Sequence, residues 1–159
     1  ISLYDQNKDL RFSVYFKTHP TVKGSYFPKK QAGTRTTNAA TFDPGNIDLK
    51  LIRVPEMYLI LAESYLKENN SAAALVNLNK LRNARGLGDF LGADLNKEIL
   101  NERRRELAFE GFRFTELKRL GLGFTRAVGG GLAPKADRFA LPIPQTEIDR
   151  SGIPQNPGY

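Results

Sequence analysis

Two alanines constrain this chain more than any other residues. Ala62 stands in Tyr58-x2-Leu61-Ala62-x2-Tyr65, and Ala74 in Ala74-x3-Leu78, on either side of Asn69-Asn70-Ser71. Residues three and four apart share one face of a helix. Apolar positions 54, 57, 58, 61, 62 and 65 therefore predict a helix over 51–68. Leu75, Leu78 and Leu81 predict a second from about Ala72 to Arg85, with Ser71 or Asn70 as its N-cap and Gly86 as its left-handed end. Small side chains at 62 and 74 let two antiparallel helices approach closely, while Tyr58 and Tyr65 fill the space between them. One such pair cannot bury its apolar face alone. Its neighbours must come from residues 95–120 or from chain outside this sequence.

The spacing is that of a tetratricopeptide helix pair, with Leu78 where that pattern has Phe. A third helix is predicted from Asp94 or Asn96 to Glu110, closed by Gly111, and a fourth over Arg113–Leu120. Residues 1–50 read differently. Arg11–Phe16 alternates like one strand, and Pro20, Gly24, Pro28, Gly33, Pro44 and Gly45 then break any helix. Gly129-Gly130-Gly131 reads as a flexible loop, Phe139–Ile143 as a short extended segment, and 152–159 as a turn-rich tail. The expected fold is mostly α: tetratricopeptide-like antiparallel helix pairs with long irregular loops. The chain divides into a loop-rich part, 1–50, and a helical part with an extended tail, 51–159.

Several chemistries are excluded by residue type. None of the 159 residues is Cys, so disulfides, thiolate metal sites and Cys nucleophiles are absent, and the one histidine, His19, cannot serve a site that needs two. No catalytic triad, metal-ligand spacing or phosphate loop stands out, so no enzyme activity, cofactor or metal is expected. The net charge is +7, with the middle, 51–110, neutral and no acid between Asp9 and Asp43. The basic residues lie in loops without any nucleic-acid-binding motif, so a solvated surface or an acidic partner is the favoured reading. Glu102-Arg103-Arg104-Arg105-Glu106 reads as an ion-paired helix through Glu102–Arg105 and Arg103–Glu106, in preference to a phosphate or sugar site. Arg53–Glu56 is a further i,i+3 pair, and Arg103 or Arg104 is expected to meet Glu56 or Glu63 between helices. Tyr26, Phe27 and Phe42 lie in the loop-rich part, where an aromatic either packs onto the helices or offers a stacking face to a sugar ring or a base. The chain starts at Ile1 with no leader or lipidation signal, which leads us to expect a fragment of a longer protein.

Ordered motifs then resemble one family. Leu51–Glu63 is similar to the "R-x-A-E-x-Y-L-x-x-A-E" helix of the SusD/RagB outer-membrane nutrient-binding lipoproteins, with Pro55 where the family usually has Ala. Leu78-Asn79-Lys80-Leu81-Arg82 with Arg85-Gly86, Ile99–Arg113, Pro142-Ile143-Pro144 with Glu147-Ile148, and the closing Gln155-Asn156-Pro157-Gly158-Tyr159 match four more motifs in order. The resemblance implies the C-terminal portion of a SusD-like α superhelix. It implies a non-catalytic protein on the extracellular face of the outer membrane, held there by a lipid anchor absent from this chain. Such a protein captures an oligosaccharide or similar nutrient and delivers it to a SusC-like TonB-dependent transporter, without nucleic acid or cofactor. Tyr26, Phe27 and Phe42 are the candidate ligand contacts. A tetratricopeptide-like protein adaptor is the alternative.

Overall fold

Helix-forming segments separated by capping residues dominate the computed structural model, which describes residues 1–30, 51–126 and 129–159. Contacts gather these into two units, Ile1–Gly111 and Phe112–Tyr159. The first holds α1 (Leu10–Tyr15), β1 (Phe16–Thr18), β2 (Tyr26–Pro28), α2 (Val54–Lys67), α3 (Ser71–Ala84) and α4 (Leu95–Glu106). The second holds α5 (Phe112–Leu120), β3 (Phe124–Thr125), β4 (Gly131–Leu132) and α6 (Gln145–Ser151).

Pro55 falls in the first turn of α2, where its missing N–H has no helical partner to lose, so the helix starts there without a kink. Asn70 caps α3 by accepting from the Ala73 amide at 3.1 Å, and Asp94 caps α4 by accepting from Lys97 at 2.9 Å. α2, α3 and α4 pack against one another around Ala62, Ala74, Leu78 and Ile99, all at most 1% exposed. Tyr65, Leu66, Phe90 and Leu95 close over this core. The neighbour required by the first helix pair is thus α4. Val54, Met57 and Leu61 of the same apolar pattern remain exposed.

The sequence reading fails at two places in this unit. Of the strand expected over Arg11–Phe16, only Phe16 is extended; Leu10–Tyr15 form α1. Asp9 accepts from the Arg11 amide at 3.0 Å and starts the helix, and a helical turn sends Arg11 and Tyr15, four residues apart, inward together. The strand comes next, as β1, and pairs antiparallel with β2 in the register Phe16↔Pro28, Lys17↔Phe27, Thr18↔Tyr26. α4 ends at Glu106 and not Glu110. The Glu106 carbonyl accepts from Lys30 Nζ at 2.6 Å and from Arg53 at 3.0 Å, and the Ala108 carbonyl from Lys30 at 3.0 Å. These side chains take oxygens that a further helical turn would need.

In the second unit, β3 and β4 form a small antiparallel hairpin, and a 3₁₀ turn spans Asp137–Phe139. Neither this hairpin nor α6 is legible as a regular element in the sequence. Among the described residues, 140–144 join no sheet. Pro142 and Pro144 have no N–H to donate, and a side-chain amide substitutes for a strand. Gln155 accepts from the Ile143 amide at 2.8 Å and donates back to the Ile143 carbonyl at 3.0 Å, while Asn156 donates to Leu141 at 2.6 Å.

Gly86 joins α3 to the start of the chain. Its φ is +80°, and a Cβ there would stand 2.7 Å from the Lys8 carbonyl oxygen. Gly86→Ala should therefore lower stability by about 1–3 kcal/mol, read as a lower urea midpoint with an unchanged slope. An unchanged midpoint would mean that this approach is dispensable.

Candidate functional site

The aromatic residues near the N-terminus form a cluster of their own. Tyr4, Tyr15 and Phe16 are buried, with Phe12 and Tyr26 packed on them. The Tyr26 ring lies edge-on to Phe12 at 5.1 Å, and its hydroxyl donates to Gln6 Oε1 at 3.4 Å. Phe27 is the next residue on β2 and so points to the opposite face. It meets His19, ring to ring at 6.3 Å and 90°. The His19 Nδ1 accepts from the amides of Thr21 at 3.3 Å and Val22 at 3.1 Å, which fixes the ring in the turn between the strands. Tyr26 and Phe27 are both half-buried and do not share one platform. Phe42 lies outside the described residues.

A ladder of charges fixes the hairpin to the helices. Glu98, Glu102, Glu106 and Glu110 follow one another at four-residue intervals and stack on one side of α4 and its extension. Each is met by cations from elsewhere in the unit or one turn away. Glu98 takes Arg82 and Arg105. Glu102 takes Arg105 at 2.6 Å and Arg11 at 2.6 Å. Glu106 takes Arg53 at 2.9 Å, Arg85 at 3.0 Å and Arg11 at 3.1 Å. Glu110 takes Arg53 at 2.7 Å and Lys30. Arg11 is also gripped by both oxygens of Asp9, at 2.8 and 2.9 Å. Among the described residues, no buried side-chain nitrogen or oxygen lacks a partner.

Burial alone would push the Glu106 carboxyl up; hydrogen bonds from Arg85 and Arg53, with the charges of Arg85 and Arg11, outweigh it and lower the pKa to about 2. Burial lowers the Lys30 ammonium, against the opposing pull of Glu110. That ammonium sits 4.0 Å from the Tyr15 ring centre. Burial also pushes the Tyr4 phenol up to about 12, and its hydroxyl donates to the Arg105 carbonyl at 2.7 Å.

The expected Glu102–Arg105 pair is present, so that arginine is occupied within the protein. Arg103 is buried and Arg104 exposed; Glu63 pairs with Lys67 at 3.3 Å, and Arg103 is not without a partner. Arg53 turns to Glu106 and Glu110, a tertiary choice that its i,i+3 spacing to Glu56 conceals. Sequence reasoning missed Arg11, Lys30 and Arg85. The signal was there: four glutamates at i,i+4 repel one another in an isolated helix and so call for outside cations. The acid-free stretch after Asp9 supplies two of them. Among the described residues no group of three or more His, Asp or Glu side chains is placed to hold a metal.

A model of the SusD family matches residues 17–159. A SusD-like protein of Formosa agariphila, P2, is 35% identical over 127 residues, covering 68% of this chain and 25% of that protein. A SusD-like carbohydrate binding protein from Bacteroides vulgatus superposes with a TM-score of 0.60 at 27% identity, over 79% of this chain and 27% of that one. Another Bacteroides vulgatus structure gives 0.80 at 26% identity, over 99% of this chain and 38% of the other. The chain thus spans a quarter to about two fifths of the length of these relatives.

The ladder sets an acid limit. The Glu106 pKa is about 2 when folded, against 4.5 for the free group. The stabilisation is whole above the free value and is lost as pH falls from about 5 toward 2, on the order of 3 kcal/mol. Glu106→Gln should lower stability at pH 7 by about 3–5 kcal/mol, because it leaves buried guanidinium groups without their counter-charge. Urea midpoints measured at pH 7 and pH 3 should show the gap between variant and parent shrinking in acid. A gap independent of pH would contradict the ladder's role.

Proposed function

Because this chain belongs to the SusD family, we propose that it is the C-terminal portion of a non-catalytic protein that captures oligosaccharide at the outer-membrane surface and delivers it to a TonB-dependent transporter. The observation that carries this reading is the family match over 17–159, together with likeness to a carbohydrate binding protein at a TM-score of 0.60. The lipid anchor, the SusC-like partner and the extracellular location belong to the same proposal. Internally satisfied charges support a role in binding: they give a rigid scaffold from which loops can present aromatic faces to a sugar.

Phe27 is the described candidate best placed to take a sugar ring, because its face of β2 is turned away from the aromatic cluster that holds Tyr26. Phe42 is proposed as a further contact on sequence grounds alone, and Tyr26 through its half-exposed edge. The 159 residues hold part of such a protein's length, and part of a site loses contacts while still bearing the entropy loss of association. We therefore expect neutral oligosaccharide binding by this chain to be millimolar or weaker, about −4 kcal/mol. A longer protein containing this segment should bind more tightly, and Phe27→Ala in it should weaken binding about tenfold, the effect of one aromatic contact. Calorimetry on both proteins checks this. Micromolar binding by the short chain would overturn the partial-site argument, and unchanged binding in the variant would make Phe27 a packing residue.

A further inference from the structure

The second unit contains a shallow depression of about 250 Å³ between the β3–β4 hairpin and the C-terminal residues. Phe114 and Phe124 form its apolar floor, both in contact with the buried Phe139, at 5.3 and 6.3 Å between ring centres. Leu132 and Leu141 add apolar wall. Gly131 lets the two strands that wall it approach closely; a Cβ there would stand 2.0 Å from the Phe124 carbonyl oxygen.

Two guanidinium groups line this depression. Arg126 lies over the Phe124 ring at 5.1 Å, and Arg138 over the Tyr159 ring at 5.3 Å. Tyr159 is itself held in place, its hydroxyl donating to the carbonyls of Ala140 at 3.2 Å and Arg138 at 3.4 Å. Stacking fixes the plane of a guanidinium without using any of its N–H donors. Neither side chain forms an ion pair among the described residues, whereas Arg113 in the same unit is paired with Glu116 at 3.1 Å. The cations of the first unit's ladder are occupied by carboxylates; these two lie over aromatic rings and, among the described residues, meet no carboxylate.

We propose that this depression is a subsite for a carboxylate-bearing sugar ring, a uronic acid. The choice of a sugar rests on the carbohydrate reading above; the carboxylate rests on the arginines alone. A planar carboxylate matches the two-pronged edge of a guanidinium, and the C–H face of one ring fits against Phe114 and Leu132. The volume lies just below the roughly 300–1,000 Å³ of sites that enclose drug-sized ligands, which suits a single ring.

The test is a titration of the isotopically labelled 159-residue chain, followed by amide NMR at constant ionic strength. The probes are D-glucuronate, D-glucose and acetate. Glucuronate should shift amides around 124–126, 138–141 and 159, and bind at least tenfold more tightly than either glucose or acetate. R126Q and R138Q should each weaken it about tenfold, the loss of one charge-assisted contact, with spectra otherwise unchanged, while R150Q on α6 should bind as the parent does. Equal binding of glucose, or glucuronate binding indifferent to R126Q and R138Q, would overturn the proposal. Acetate binding as tightly as glucuronate would overturn the sugar part of it. Failure of the longer protein to bind neutral oligosaccharide counts against the family-based function and leaves this titration untouched, so the two can fail separately.

Discussion

Glu106 is the residue on which the first unit turns. It is fully buried and negatively charged, and a carboxylate without counter-charges in that position would be strongly destabilising. Arg11 from α1, Arg53 from the start of α2 and Arg85 from the end of α3 converge on it. Three segments far apart in sequence are thereby brought to one helix. The apolar core of α2, α3 and α4 supplies area without direction, whereas the ladder supplies direction. A guanidinium fork bonds well to a carboxylate only within a narrow range of approach, so α1 has one place to sit. A buried ion pair is weak evidence of net stabilisation, because desolvation opposes it. Its effect here is better described as specificity: it selects which arrangement of helix ends is compatible with buried charge.

The same anchoring extends to the hairpin. Lys30 lies two residues beyond β2 and donates to the carbonyls of Glu106 and Ala108 and to Glu110. It also ends α4, since the oxygens it takes are those the next turn would use. One lysine therefore fixes the strand, shortens the helix and covers the Tyr15 ring. The proposed ligand contact at Phe27 lies three residues before it. A side chain so close to a fixed point loses less conformational freedom on binding than one at the tip of a free loop, which is the physical content of pre-organisation.

Most of the helical scaffold was legible in the sequence, because the signals were local. Period, caps and the small residues at 62 and 74 give α2, α3 and the start of α4 without knowledge of the fold. Residues 11–16 misled because alternation over six residues fits both a strand and one and a half helical turns. The deciding contact, Arg11 with Glu102, spans 91 positions. The end of α4 was misplaced for a like reason, since Gly111 is a good local stop but Lys30 and Arg53 act first. The hairpin of the second unit, with two residues in each strand, is below the length at which alternation carries information. The closing Gln-Asn-Pro-Gly-Tyr motif was recognisable as a motif. Its physical role, a side-chain amide pairing with a proline-bounded extended segment, is visible only in the structure. At the candidate site, the sequence placed Tyr26 and Phe27 together; only the strand showed that neighbours on β2 face opposite ways.

The ladder also bears on the non-catalytic role proposed above. General acid–base chemistry needs a group with a pKa near neutrality and a donor or acceptor free to meet substrate. Glu106 is held far below that range, with both oxygens engaged by arginines. Lys30 is moved toward it by burial, yet its three N–H donors point to two carbonyls and one carboxylate, so proton transfer there would dismantle the contacts that hold the hairpin. The densest charge in the first unit is thus arranged to be inert. A buried, mutually satisfied network is a way to make a scaffold rigid without making it reactive. What remains for the proposed ligand is the chemistry at the periphery: aromatic faces, and guanidinium groups that lie over aromatic rings and, among the described residues, meet no carboxylate.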